Sequence, residues 1–166
     1  MTAEERRPDD EQRPPRLQRL DRIFPRAPIY FVTACTEMRK KLLATPAVHE
    51  SFIHFAQRGE ERGVWVGRYV LMPDHLHLFV AFDDELIDLS AWMKSLKNAL
   101  SKTLLLRGMP SPHWQKGFFD HVLRSGESSS EKWEYVRQNP VRGGLILRAE
   151  DWPYQGEIYP LEFRRS

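Results

Sequence analysis

The chain has 166 residues, of which 41% are hydrophobic and 29% are charged, and its formal net charge at pH 7 is +2. This composition is typical of a globular protein with a real core. It excludes a disordered polycation, so contact with a polyanion needs a local basic patch. The single cysteine, Cys35, excludes an internal disulfide and a cysteine-rich zinc site. The single cysteine also suits a reducing cytoplasm. No apolar run reaches membrane-spanning length, so we expect no membrane contact.

The first 28 residues are predicted to form a flexible, charged leader. Arginines alternate there with acidic residues, and Pro8, Pro14 and Pro15 interrupt any helix. A segment this charged and this poor in aromatic residues cannot bury enough surface to order itself. A second interpretation stays open, in which the arginines become ordered on a phosphate backbone. Residues 29–166 are expected to form a single domain.

The first half of this domain is predicted to contain three strands and one helix. Strands are expected at 29–34, 64–71 and 75–82, where β-branched and aromatic residues are frequent. A helix is expected from Thr45-Pro46, a start signal, to about Arg62. The break between the second and third strands is too short for a helical crossover, so we expect these strands to pair antiparallel.

The second half begins with a predicted helix over 86–106, in which leucines recur at helical spacing. An aromatic-rich strand or loop follows within 114–124, and residues 126–130 are expected to form a polar hinge. A last helix is predicted over 130–139, with Ser130 as its cap. The β-α-β-β-α-β order indicates an α+β, ferredoxin-like antiparallel sheet with helices on one face, followed by this C-terminal helix.

Two histidines, His75 and His77, stand two residues apart in the third strand. Alternate residues of a strand share a face, so both imidazoles project from one side, while Leu76, Leu78 and Val80 face a core. Two neutral imidazoles at this spacing can bind one divalent metal ion. Half-exposed histidines without any ligand are the alternative interpretation.

The last predicted helix offers a nucleophile and a third metal ligand. Tyr135 and Asn139 are four residues apart, so they lie on one helix face. The tyrosine oxygen can attack a phosphate that a divalent metal polarises, and the amide oxygen of Asn139 suits Mg²⁺ or Mn²⁺. Alternatively, Tyr135 is an ordinary helix residue that packs beside Trp133.

These residues resemble the motifs of one enzyme family. His75-Leu-His77 is similar to the HUH motif (histidine, bulky hydrophobe, histidine) of the single-tyrosine transposases. The segments 72–77, 114–124 and 135–142 resemble the REP-associated branch of that family. The likeness covers roughly residues 29–152 and leaves out the leader.

The resemblance implies an enzyme that cuts and rejoins single-stranded DNA by transesterification. Tyr135 would form a 5′-phosphotyrosine bond, and His75, His77 and Asn139 would bind Mg²⁺ or Mn²⁺. Insertion-sequence relatives often have glutamine as the third ligand, and Gln138 is adjacent. Helical geometry turns Gln138 about 100° away, which favours Asn139. The implied substrate is a palindromic repeat folded as a hairpin, and the implied location is the cytoplasm, in association with the nucleoid.

Candidate contacts to the DNA backbone are the basic residues Lys94, Lys97, Lys116, Arg124, Arg137 and Arg142. Asp120 and His121 are expected to make structural hydrogen bonds. A monomer and a homodimer with shared sites both remain open. Two other functions also remain open. One is a non-catalytic DNA-binding regulator derived from a transposase, and the other is a metal phosphohydrolase in which Tyr135 only packs.

Overall fold

A five-stranded antiparallel sheet forms the centre of the computed structural model, which describes residues 28–163. The strands are β1 (Ile29–Cys35), β2 (Val64–Leu71), β3 (His75–Phe82), β4 (Phe119–Leu123) and β5 (Gln155–Glu157). They lie in the order β4-β1-β3-β2-β5, and each neighbouring pair is antiparallel. The α+β fold predicted from the element order is therefore confirmed. The predicted leader lies outside the described residues, apart from Pro28.

Four α-helices accompany the sheet: α1 (Pro46–Arg58), α2 (Leu89–Leu106), α3 (Gly126–Arg137) and α4 (Asn139–Arg142). Short 3-10 turns span Glu37–Arg39, Gly59–Arg62 and Ala149–Asp151. Helix α1 begins as predicted, because the Thr45 side chain accepts a hydrogen bond from the Val48 amide. Helix α2 begins three residues later than predicted, where Asp88 accepts from the Ser90 amide. None of the described helices has the length and apolar character needed to cross a bilayer.

Helices α1 and α2 cover one face of the sheet, which we call the helix face. Leu76, Leu78 and Val80 of β3 project into this layer and are fully buried, as predicted. From α2, a leucine stripe that includes Leu96 and Leu100 meets them in the same hydrophobic cluster. Burial of this apolar surface supplies the main stabilisation of the fold.

A β-bulge in β2 adjusts which residues face the helices. Val66 pairs with Val80 of β3, but Tyr69 pairs with Leu78, so β2 contains one extra residue between these pairs. Val66 and Tyr69 consequently both face the helix layer despite their odd separation. Val70 then lies on the opposite face, directly beside His77 in the register.

Helix α3 begins earlier than the sequence predicted. Its cap is Ser125, whose side chain accepts from the Ser128 amide, so the expected hinge at 126–130 forms the first helical turns instead. The expectation of a hinge is wrong because Ser125 satisfies the free amides that begin a helix. The helix ends at Arg137, and Pro140 occupies the first turn of α4, where its missing N–H costs no hydrogen bond.

Candidate active site

The two histidines begin β3 and project from the face opposite the helix face, which we call the histidine face. Their ring centroids are 4.8 Å apart and the rings are nearly perpendicular, at 81°. The Nδ1 atom of His75 is 2.7 Å from Asp74 Oδ1, and Nδ1 of His77 is 2.8 Å from Thr33 Oγ1. Because Nδ1 is engaged in both rings, Nε2 is the nitrogen that remains for a ligand.

His77 is held in its neutral form. Burial lowers the pKa of its imidazole to about 3, and the neighbouring charges of His75, Lys132, Arg39 and Arg142 add to this effect. The ring of Phe31 stacks on the imidazole, with centroids 5.2 Å apart and planes 20° apart. A neutral imidazole is the form that binds a metal ion, so His77 needs no deprotonation near neutral pH.

Arg39 and Asp74 support His75 through a network that the sequence analysis missed. Arg39 Nε is 2.9 Å from Asp74 Oδ2, and its other nitrogens lie 3.1 Å from Cys35 Sγ and 3.3 Å from His75 Nδ1. The shorter contact of His75 Nδ1 is to Asp74, so we assign the Nδ1 proton to that hydrogen bond. Burial alone would raise the pKa of the Asp74 carboxyl, but hydrogen bonds from His75 and Arg39 lower it overall.

The backbone at Met38 and Arg39 is left-handed, with φ of 53° at both residues. Such angles are uncommon outside glycine and store strain that is often associated with functional sites. Here the turn brings the Arg39 guanidinium to Asp74. The position of Asp74, directly before His75, was the one available sequence signal for this network.

Helix α3 carries Tyr135 across the histidine face. The ring of Trp133 lies 6.1 Å from that of Phe79, and Val136 is buried with Val70 and Met72. Tyr135 itself is 65% exposed. The alternative in which it packs as an ordinary helix residue beside Trp133 therefore lacks support.

Arg142 joins Tyr135 to Asn139. Its guanidinium carbon lies 4.1 Å from the centroid of the Tyr135 ring, and its NH2 group donates a hydrogen bond to Asn139 Oδ1. The expected single helix with Tyr135 and Asn139 on one face is replaced by two helices, since α3 ends at Arg137 and Asn139 opens α4. Asn139 thus lies near Tyr135 with its amide oxygen already engaged.

The histidine pair fits a divalent metal ion, since two imidazoles lie side by side with their Nδ1 atoms engaged elsewhere. Within residues 28–163, no group of three or more histidine, cysteine or acidic side chains has a metal-binding arrangement. Among these described residues, a third protein ligand would therefore be a neutral oxygen. Asn139 Oδ1 is the candidate, and it already accepts one hydrogen bond from Arg142.

The six predicted DNA contacts divide into two groups. Lys97 is a structural residue, because its Nζ donates to the carbonyl oxygens of Gln115 and Gly117 and burial lowers its pKa. Lys94 is exposed on α2, in the helix layer on the other side of the sheet.

The other four candidates lie beside β4 or on α3 and α4. Lys116 and Arg124 are exposed just before and just after β4, and Arg137 forms an ion pair with Glu134 at 2.8 Å. Arg142 covers Tyr135 as described. Lys132 was missed by the sequence analysis, although it lies 5.2 Å from the centroid of the Phe31 ring.

Comparisons with known proteins agree with this architecture. Residues 28–139 match the family model described as transposase IS200 like. A Haemophilus influenzae protein, provisionally named a REP-associated tyrosine transposase, is 26% identical over 164 residues, covering 84% of this chain and 89% of its own. The REP-associated tyrosine transposase of Escherichia coli K12 is 23% identical over 94 residues, covering 57% and 54%.

A solved structure of a REP-associated tyrosine transposase bound to a REP hairpin has the same fold. It superposes with a TM-score of 0.64 at 21% identity and covers 84% of this chain and 86% of its own. The structural match shows a common fold, whereas the family model, which matches most of the chain, shows the family. The chain therefore belongs to the IS200-like family of transposases, enzymes that bind DNA and move it.

Proposed function

We propose that the protein is a metal-dependent endonuclease and strand transferase that acts on hairpin-forming single-stranded DNA through a covalent bond to Tyr135. One arrangement carries the proposal. Helix α3 brings an exposed tyrosine to the same sheet face from which His75 and His77 project with Nε2 left for a ligand. A nucleophile and a potential metal site on one open surface suit phosphoryl transfer.

In the proposed cleavage step, the Tyr135 oxygen forms a bond to the scissile phosphorus while the bond from phosphorus to the 3′ oxygen breaks. The phenol proton passes to solvent, and the leaving oxygen takes up a proton to become a 3′-OH. The product is a 5′-phosphotyrosine ester, so a later attack by a 3′-OH reseals DNA without an external energy source. Arg142, whose guanidinium carbon lies 4.1 Å from the centroid of the Tyr135 ring, holds that ring through a cation–π contact.

His75 and His77 would hold Mg²⁺ or Mn²⁺ through Nε2, with Asn139 as the third protein ligand. A bound divalent ion polarises the phosphate and offsets the negative charge that develops there. The Asp74 carboxylate accepts from Nδ1 of His75, which keeps the lone pair of that ring on Nε2, and the Thr33 hydroxyl orients the His77 ring through Nδ1. Imidazole nitrogens favour the softer ion, so we expect Mn²⁺ to bind more tightly than Mg²⁺.

For the substrate, we propose a DNA hairpin with a single-stranded flank, since the structural neighbour is bound to a REP hairpin. Four basic residues are the proposed backbone contacts: Lys116, Arg124, Lys132 and Arg142. Arg137 is a weaker candidate because Glu134 already pairs with it. Lys94 is left out because it lies in the helix layer, and Lys97 because its ammonium already binds two carbonyl oxygens. Binding through such contacts should weaken steeply as the salt concentration rises.

The test is a covalent-adduct assay. The protein is incubated with hairpin oligonucleotides from the flanks of its own gene and either Mn²⁺ or Mg²⁺, and adducts are resolved on a denaturing gel. We expect a slowly migrating protein–DNA band that is absent from Tyr135→Phe and from chelator-treated samples. Tyr154→Phe is the matched tyrosine control and should retain the band.

The outcomes separate the alternative functions. Tight hairpin binding without an adduct would support the non-catalytic regulator. Cleavage that persists in Tyr135→Phe would support a phosphohydrolase that uses water as the nucleophile. A metal-dependent adduct lost only in Tyr135→Phe would establish the nucleophile and the reaction class together.

A further inference from the structure

Phe119 is a large apolar residue that is exposed on the histidine face. It lies at the start of β4, it is 73% exposed, and the register places it opposite Thr33, which in turn lies opposite His77. Directly opposed residues of antiparallel strands share a face. Phe119, Thr33 and His77 therefore form one row across the sheet, in which the Thr33 hydroxyl binds the His77 ring.

A second row runs beside the first. His121 of β4 is opposite Phe31 of β1, and Phe31 is opposite Phe79 of β3. Phe31 stacks on the His77 ring, and Lys132 Nζ lies 5.2 Å from the Phe31 centroid. His121 is exposed, and within residues 28–163 no hydrogen bond involves its side chain or that of Asp120. The expectation of structural hydrogen bonds for these two residues is therefore wrong.

Three rings thus line the β4 side of the histidine pair: Phe31, Phe119 and His121. We call them the aromatic shelf. Strand β4 is the last strand on its side of the sheet, so among the described strands none covers its outer edge. Strands are spaced about 4.8 Å apart, which places the Phe119 Cα about 10 Å from that of His77, the length of about three stacked nucleotides.

We infer that the aromatic shelf is a stacking platform for unpaired bases of the DNA strand whose phosphate lies at the histidines, and that Phe119 contacts the substrate directly. Stacking on aromatic side chains accepts any base, because every base has a π-face. Lys132 above Phe31 and Lys116 just before β4 supply positive charge for the backbone of the same strand. The inference rests on the proposed function and names where its substrate lies.

Exposure alone does not distinguish Phe119. Leu147 and Leu106 are 94% and 89% exposed, and single exposed apolar side chains are common on proteins. What distinguishes Phe119 is its place in the row of His77, next to a second aromatic ring and a lysine. Leu147 therefore serves as a matched control for the loss of an exposed apolar side chain.

The test uses 2-aminopurine, a fluorescent base that is quenched when it stacks. Hairpin oligonucleotides carry it at one position at a time through the single-stranded flank on either side of the stem. They are titrated with Tyr135→Phe protein so that the DNA stays uncut. We expect quenching at one or two adjacent positions, retained in Phe119→Trp and lost in Phe119→Ala.

Affinity and kinetics supply independent measurements. Phe119→Ala should weaken hairpin binding by about 5- to 150-fold, the equivalent of one stacked base, whereas Leu147→Ala should leave it unchanged. With Tyr135 intact, Phe119→Ala should raise KM more than it lowers kcat, since stacking binds substrate and transition state alike. Thermal unfolding should be unaffected, because Phe119 is largely exposed.

The results distinguish failure of the shelf from failure of the proposed function. If adducts form normally but quenching and affinity are the same in Phe119→Ala, the shelf is overturned and the enzyme stands. If hairpins bind and are quenched through Phe119 while no adduct forms, the shelf stands and the catalytic proposal fails. Absence of quenching at every flank position, or of any hairpin binding, also overturns the shelf.

Discussion

The helix face and the histidine face share the same strands and differ in chemistry. On β3, Leu76 and Leu78 are fully buried beneath α1 and α2, whereas His75 and His77 alternate with them on the partly open opposite surface. The turn with left-handed backbone at Arg39 contacts His75 and so adjoins the histidine face. Because side chains alternate along a strand, a residue that stabilises the core lies next to one that can bind a ligand. Neighbouring substitutions should therefore have unrelated effects.

The largest expected effect is on the helix face. Leu78→Ala removes a fully buried side chain and leaves a cavity, so we expect the free energy of unfolding to fall by about 2–5 kcal/mol. Urea denaturation measures this. Leu106→Ala, at an 89% exposed position of the same helix layer, should change it by less than about 0.5 kcal/mol. Equal losses in the two variants would show that the helix face is not the stabilising one.

The second prediction concerns acid stability on the histidine face. The folded-state pKa of His77 is about 3, below the unfolded value near 6.5, so the unfolded state binds more protons between these values. Stability should therefore fall as the pH drops from about 6.5 towards 3, by on the order of a few kcal/mol from this group.

Unfolding measured in metal-free buffer across this pH range tests the contribution of His77. In His77→Gln, the free energy of unfolding should fall less steeply between pH 6.5 and 3 than in the unsubstituted protein, because glutamine does not titrate. His54→Gln, which replaces an exposed histidine on α1, should leave this fall unchanged. A fall that is as steep in His77→Gln as before would mean that this imidazole is not held neutral by its surroundings.

A smaller effect is expected from the support of His75. Asp74→Asn weakens the hydrogen bond that orients this ring, so Mn²⁺ affinity should fall by about 10- to 100-fold with little change in stability. Arg39→Ala should act in the same direction because Arg39 fixes Asp74. Titration calorimetry with Mn²⁺ gives the affinity. Asp151→Asn, which breaks an exposed ion pair elsewhere, is the control and should bind Mn²⁺ normally.

The smallest prediction concerns Arg142. Its guanidinium occupies Asn139 Oδ1 and adds positive charge near His77, so it opposes a cation at the histidines. Arg142→Ala should therefore bind Mn²⁺ about fivefold more tightly. This change corresponds to a repulsion of roughly 1 kcal/mol between nearby surface charges. Arg148→Ala is the matched control. Weaker Mn²⁺ binding in Arg142→Ala would instead mean that Arg142 holds Asn139 ready as a ligand.

The sequence predicts the two faces well because they depend on local periodicity. The alternation of leucine and histidine in β3 and the start signal at Thr45-Pro46 are both properties of adjacent residues. The start of α3 was missed because Ser125 and Ser130 are equally plausible caps, and only the fold selects Ser125.

Contacts between distant segments are invisible to such local rules. Lys97 was expected on DNA, but its partners Gln115 and Gly117 lie 18 and 20 residues further along the chain. Arg39 was missed for the same reason, since it meets Asp74 at a separation of 35 residues through a left-handed turn that no sequence rule predicts. The engagement of Asn139 by Arg142 is local, but it depends on the unforeseen break between α3 and α4.

The attachment of α3 to its own sheet has a kinetic consequence. Trp133 and Val136 contact Phe79 and Val70 of the same chain, so Tyr135 and the histidine pair are carried by a single copy. In the proposed reaction, a site carried by one copy would need no encounter between two protein molecules. Under saturating DNA, we expect the rate constant for adduct formation to be independent of enzyme concentration over a wide dilution range. Mixtures of Tyr135→Phe and His77→Gln chains should remain inactive.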